Sequence, residues 1–147
     1  MRAEPARVYE NILVPTDGSR NAARGVDHAM DLAEETGARL HVLFVVDEAV
    51  YGSATGLSSY ELFLEKIGDE AEDLVEDIVE EAVERGIDST TSVLRGVPHE
   101  VILDYAGEQG VDLIVMGKRG AAGGTTPHVG SVTNRVLRGA SVPVLPV

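Results

Sequence analysis

Five short apolar runs, each parted from the next by a stretch with helical spacing, leave few folds open to this chain. Asn11–Pro15 (NILVP) is short and uniformly apolar, as a strand buried on both faces is. Ser19 then caps a helix in which Ala22, Val26, Ala29, Met30 and Ala33 recur at three- and four-residue intervals, and Gly37 stops it. Leu40–Val46 (LHVLFVV) is the second strand. Ser58 and Glu61 read as a capping box for a second helix. That helix sets Ala71, Leu74, Val75, Ile78 and Ala82 on one face and the acids from Glu70 to Glu84 on a solvated one, with Gly86 as its exit. Ser89–Gly96 alternates weakly and reads as an edge strand. Pro98 opens a third helix carrying Val101, Ile102, Tyr105 and Ala106, which ends near Gly110. DLIVMG supplies a fourth strand, Ser131–Arg138 a fourth helix and VPVLPV a fifth strand.

Such alternation implies a parallel sheet with helices on both faces, joined by right-handed crossovers. The length suits one core, so residues 1–147 are expected to form a single doubly wound α/β domain around a five-stranded sheet. In open sheets of this kind a ligand sits beyond the carboxyl ends of the strands, where the strand order reverses. The first strand ends in Pro15, Thr16, Asp17, Gly18 and Ser19; the fourth ends in Met116, Gly117, Lys118, Arg119 and Gly120. A strand order of 3-2-1-4-5 would make these tips neighbours and turn Asp17 and the glycine loop toward one crevice. Gly117 and Gly120 permit positive φ and close approach of a ligand to the backbone. Gly130 and Ser131 open the fourth helix, whose N–H groups and positive dipole end favour an anion. By spacing alone the glycines suit either a phosphate cradle built of main chain or tight turns in a surface loop. Neither the Walker A run nor the dinucleotide glycine fingerprint occurs.

The formal charge of −13 argues against a nucleic-acid partner, because phosphate neutralisation needs a basic face. Only Lys66 and Lys118 are lysines, and acid-rich, lysine-poor composition suits either a halophilic cytoplasm, where the Debye length falls to ~3 Å at 1 M salt, or simply an acidic soluble protein. With no cysteine there is no disulfide or thiolate chemistry. No run approaches the ~20 apolar residues needed to span a bilayer, and the first residues lack a signal-peptide core, so a cytoplasmic protein with no membrane partner is expected.

Gly117-x-x-Gly120, nine further residues and then Gly130-Ser131 resembles the G-2x-G-9x-G-[S/T] motif of the ATP-binding universal stress proteins. The likeness covers nearly the whole chain: ILVPTDGS, LHVLFVVDE, GVPHEVI, VDLIVMGKRG and GSVTNRVLRGASVPVLPV stand in the family's order. The resemblance implies the adenine-nucleotide alpha hydrolase-like sheet and an ATP site. In that site Asp17 would bind the ribose or lie beside the adenine and ribose, and the backbone of Val45, with Val46 beside it, would meet the adenine edge. Gly117, Gly120, Gly130, Ser131 and Val132 would hold phosphates and ribose, with Pro15, Thr16 and Met116 completing the lining. Mg²⁺ or Mn²⁺ would bridge the phosphates. It also implies a homodimer through the last strand. There Pro146 replaces a hydrophobic residue of many relatives and withholds one N–H, as prolines at edges or bulges do. Arg119-Gly120 stands where many relatives carry His-Gly.

Other residues carry competing readings. His28, His41, His99 and His128 show no short metal-ligand spacing and read as structural or surface residues, with His128 close enough to Gly130 to lean over phosphates. Lys118 and Arg119 suit a triphosphate or a solvated loop tip; Asp47 and Glu48 suit a ribose, a metal-bound water or a plain turn. Thr125 and Thr126 are candidate phospho-acceptors, and Ala49–Ser59, with Tyr51, Leu57 and two glycines, is a candidate lid. Three functional classes follow: a nucleotide-dependent sensor or switch in stress response, an ATPase or phosphotransferase, and a nucleotide-free scaffold. Phosphoryl transfer needs a positioned base or water-orienting group. Spacing places no histidine or carboxylate against a γ-phosphate, so binding with at most slow hydrolysis ranks first.

Overall fold

The structure is a computed structural model and describes residues 8–48, 57–118 and 130–147. Strands and helices alternate along the chain: β1 (Asn11–Thr16), α1 (Arg20–Thr36), β2 (Arg39–Asp47), α2 (Leu57–Glu84), β3 (Ser89–Gly96), α3 (Pro98–Glu108), β4 (Leu113–Met116), α4 (Ser131–Gly139) and β5 (Val144–Pro146). The sheet is wholly parallel, in the order β3-β2-β1-β4-β5. This is the expected doubly wound arrangement, with the order reversing between β1 and β4.

Two cores form because successive strand residues point to opposite faces. On one face Ile12, Val14, Leu40, Val42, Leu113 and Val115 meet the apolar stripes of α1 and α2, including Met30 and Val75. On the other, Leu13, Leu43, Ile114 and Met116 meet α3 and α4 through Ile102, Tyr105 and Val136. Each such aliphatic side chain contributes roughly 1.5–3 kcal/mol when fully buried. β4 is apolar throughout and the interiors of β1 and β2 are nearly so, because both of their faces are covered; His41 is the polar residue inside β2.

Local chemistry fixes the helix ends. The Ala22 N–H donates to Ser19 Oγ at 3.1 Å, and Gly37 adopts the left-handed region at φ 74° to terminate α1. Pro98 stands in the first turn of α3. The capping-box expectation fails in detail: α2 already includes Leu57, so Ser58 lies inside the helix rather than ahead of it. The acids Glu70, Glu72, Asp73, Glu76, Asp77, Glu80, Glu81 and Glu84 are all exposed, as a solvated face requires.

Pro146 is accommodated without loss to the β4–β5 ladder. The Val147 N–H donates to Met116 O at 2.7 Å and the Lys118 N–H donates to Val147 O at 2.8 Å, so odd-numbered residues of β5 face β4. The ring nitrogen of Pro146 therefore faces the free edge, where Val144 presents both an N–H and a carbonyl. Among the described residues no helix is long and apolar enough to cross a membrane.

Candidate functional site

The crevice at the carboxyl end of the sheet has an identifiable cause. Odd-numbered residues of β1 turn their main chain toward β4, since Asn11 O accepts the Asp112 N–H at 2.9 Å. Pairing with β4 then runs through Ile12–Leu113 and Leu13–Ile114 and stops. The next donor on that side would be the N–H that Pro15 lacks. A proline in a central strand is uncommon; here it ends the ladder where the strand tips part.

On the other flank, β2 outruns β1. Thr16 pairs with Phe44, and β2 continues through Val45 and Val46 to Asp47 alongside β3. The Arg39 N–H donates to Glu10 O, so odd-numbered residues of β2 face β1, and Val45 does so beyond the last β1 residue. Gly18, where a continuing strand would donate to the Val45 carbonyl, gives its N–H to Thr16 Oγ1 instead, at 3.2 Å. The side chain of Val45 is buried in the α3–α4 core, whereas alternation sends the buried side chain of Val46 to the opposite face. The two valines thus cannot line one pocket with their side chains; Val45 offers its peptide group.

The β1–α1 turn is stiffened from within. Pro15 and Thr16 are buried, and the exposed Asp17 accepts the Ser19 N–H on Oδ1 at 2.9 Å. Gly18 sits at φ 82° against Leu74 and Phe44. A carboxylate is an acceptor only, so the natural ligand partner of Asp17 is a hydroxyl donor and not a phosphate.

Gly117 is a glycine for a different reason from the one expected. It has no positive φ. A Cβ there would collide with the Asn21 carbonyl, 2.6 Å from its carbon and 3.0 Å from Ala22 N. The first turn of α1 packs directly on the β4 tip, and Gly117 makes room for helix backbone. Met116 is likewise turned into the core. Beyond them the ends of the 119–129 segment are tied together: the Gly130 N–H donates to Lys118 O, and Thr133 Oγ1 donates to Gly117 O at 2.9 Å. Gly117, Lys118, Gly130 and Ser131 are therefore brought into one place. Gly120, Arg119, Thr125, Thr126 and His128 lie outside the described residues, as does the 49–56 part of the candidate lid.

The α4 N-terminus supplies donors. Gly130 is its N-cap, at φ −61° and ψ 156°, and no side chain caps it, in contrast to Ser19 at α1. That backbone conformation is open to any residue, so conformation does not explain the glycine. Ser131 is exposed, Val132 packs partly on the α3–α4 core, and Lys118 is exposed beyond the β4 tip. First-turn N–H groups without a side-chain cap among the described residues, the positive helix end and an exposed lysine suit an anion.

The histidines and flanking acids sort clearly. His28 is exposed, and His99 is half-buried with a buried Nδ1 that has no hydrogen-bond partner among the described residues. His41 is buried well below the site: Nδ1 lies 2.8 Å from Tyr105 Oη and Nε2 lies 2.9 Å from Asn11 Oδ1, with the two rings edge to face. Burial, and secondarily the Arg39 charge, lowers its pKa. Burial raises that of Tyr105, against an opposing hydrogen bond from Ser92. This network is structural. Asp47 is half-buried and Glu48 exposed at the β2 tip. Among the described residues no group of three histidines, aspartates or glutamates could hold a metal by itself.

Comparison with known proteins adds the lineage. The model of the universal stress protein family matches residues 8–147. The chain is 34% identical to the universal stress protein MJ0531 of Methanocaldococcus jannaschii over 95% of this chain and 82% of that one. Its fold superposes on UspA from Lactobacillus plantarum with a TM-score of 0.87, 30% identity and coverage of 97% and 99%. A universal stress protein solved in complex with cAMP is similar at 26% identity, TM-score 0.65 and coverage of 97% and 98%. From its fold, its strand order and a family match spanning nearly its full length, this chain belongs to the universal stress protein family.

Proposed function

We propose that this protein binds an adenine nucleotide, ATP with Mg²⁺ or Mn²⁺, across the tips of β1 and β4, and acts as a nucleotide-dependent stress-response switch. One observation carries the reading: the uncapped N-terminus of α4 is held beside the β4 tip by the Lys118–Gly130 hydrogen bond. The glycine spacing supports it, as does the relative solved with cAMP. Main-chain donors at Gly130, Ser131 and Val132 would take the phosphates, together with Gly120. Asp17 would take ribose hydroxyls, and the Val45 peptide would meet the purine edge, with Pro15, Thr16, Val46, Met116 and Gly117 shaping the walls. A divalent ion, bound through the phosphates, would neutralise charge that the acidic protein otherwise repels.

Binding, with at most slow hydrolysis, is favoured over turnover because the donors gathered here are chiefly main-chain amides, which hold charge without moving protons. The unpaired edge of β5 supports a homodimer in which Val144 supplies an N–H and Pro146 supplies only its carbonyl. The acidic surface fits a cytoplasm of high salt. The test is an ATP titration in molar salt, combined with mass analysis of any nucleotide released on denaturing gently purified protein. Wild type is expected to bind, and Gly130→Val, whose backbone needs no glycine, is expected to fold normally and lose affinity at least ~10-fold, the equivalent of ~1.4 kcal/mol. Absence of both released nucleotide and a titration signal would favour the scaffold. Multiple-turnover phosphate release, lost in Gly130→Val, would favour the enzyme.

A further inference from the structure

We infer that Thr133 and Gly25, neither of which belongs to the glycine motif, are positioning residues that hold the candidate phosphate cradle in register with the β1 tip. The inference rests on the nucleotide-binding reading and adds what keeps that site assembled. Thr133 is 3% exposed, and its hydroxyl donates to Gly117 O at 2.9 Å. This bond ties the first turn of α4 to the β4 tip from the inside, while the Gly130 N–H ties the same turn to Lys118 O. The Asn134 N–H donates to Gly130 O at 2.9 Å and continues the turn into the helix.

Gly25 acts on the opposite side of the same peptide. A Cβ at Gly25 would lie 3.0 Å from Gly117 N and 3.2 Å from the Met116 carbonyl carbon. The reciprocal approach, Gly117 against Asn21 and Ala22, brings α1 backbone onto strand backbone with no side chain between. Gly117 is therefore gripped between two helices, α1 by contact and α4 by a hydroxyl. Asp17 is fixed to α1 through the Ser19 turn, so the distance from Asp17 to the Gly130–Ser131 amides depends on both grips. Small misplacement of a site's donors relative to one another weakens binding steeply.

The test compares Thr133→Val, Thr133→Ser and Gly25→Ala with wild type in ATP affinity, thermal midpoint and amide exchange. Thr133→Val keeps the shape and deletes the hydroxyl that donates to Gly117 O. It is expected to weaken ATP about 10-fold and to accelerate exchange of the Gly130 and Asn134 amides. Thr133→Ser keeps the donor and is expected to restore affinity to within about twofold of wild type. Gly25→Ala is expected to weaken ATP by a few-fold, about 3-fold, through displacement of α1. Two results would overturn the inference: a Thr133→Val protein with a lower midpoint but unchanged affinity and exchange, or Thr133→Ser as weak as Thr133→Val. If wild type binds no ATP, the nucleotide reading fails alone. Amide exchange without ligand then still decides the grip, since unchanged protection at Gly130 and Asn134 in Thr133→Val overturns it and faster exchange supports it.

Discussion

The two ends of the sheet treat polar groups in opposite ways. At the amino end, Asp112 accepts the Glu10 and Asn11 N–H groups at 2.8 and 3.1 Å, and Asn11, His41 and Tyr105 satisfy one another beneath α3. At the carboxyl end, β2 outruns β1, Pro15 interrupts the ladder to β4, and α4 begins without a side-chain cap. One end spends its donors and acceptors on the fold; the other holds an array in place and leaves it facing solvent. Buried unpaired groups cost ~1–3 kcal/mol each, so the first end tolerates little change, while the second can be altered with more effect on binding than on stability.

Substitutions can break that contrast or sharpen it. The largest effect is expected at Gly117, which belongs to both worlds: Gly117→Val drives a side chain into the Asn21 carbonyl and should destabilise by about 3 kcal/mol or more in urea unfolding. A stable, merely non-binding Gly117→Val would mean that α1 can retreat from the β4 tip. Asp17→Asn at the carboxyl end should cost ~1.5–3 kcal/mol of ATP affinity, roughly 10- to 100-fold, with a nearly unchanged thermal midpoint. Tyr105→Phe at the amino end should do the reverse. It strands His41 Nδ1 and should cost ~1–3 kcal/mol of stability while leaving ATP affinity within error.

How much of this was legible in the sequence depends on the range of each constraint. The alternation of strands and helices, the Ser19 cap, the Gly37 stop and the β3 edge rest on local patterns and could be read directly, whereas the order 3-2-1-4-5 was compatible with the rules of α/β winding without being determined by them. The start of α2 could not: a capping box at Ser58 and Glu61 is locally plausible, yet the helix already includes Leu57. Gly117 could be singled out but not explained, because the atoms that forbid its side chain belong to Asn21, nearly a hundred residues earlier. The role of Thr133 leaves no mark in the sequence, since its partner, the Gly117 carbonyl, is main chain. Pro15 was visible as part of a strand tip. Its effect on the β4 ladder needed the register. The His41–Tyr105 pair spans 64 positions and has no local signature.

The smallest effect expected is in pH dependence, and it sharpens the contrast from the amino end. Burial depresses the pKa of His41 below its ordinary value of about 6.5. Below that value the unfolded chain takes up a proton that the folded chain refuses. This histidine therefore makes stability fall as pH drops through about 6.5 toward the folded pKa, at up to ~1.4 kcal/mol per pH unit. Urea unfolding at stepped pH should show a shallower acid-side slope for His41→Gln than for wild type, after the carboxylate contribution common to both is subtracted. Equal slopes would mean that the ring is protonated in place, with Tyr105 turned to accept.

Amide chemical-shift mapping during an ATP titration, in salt high enough to screen the acidic surface, is the most direct measurement of whether the carboxyl end is the ligand-binding end. The predicted shifts concentrate on Asp17, Gly18, Val45, Gly117, Gly130, Ser131 and Val132, with Asn11, His41, Ser92 and Asp112 unmoved. Saturable shifts centred on the Asn11–His41 end, or no saturable shifts at any amide, would contradict the account.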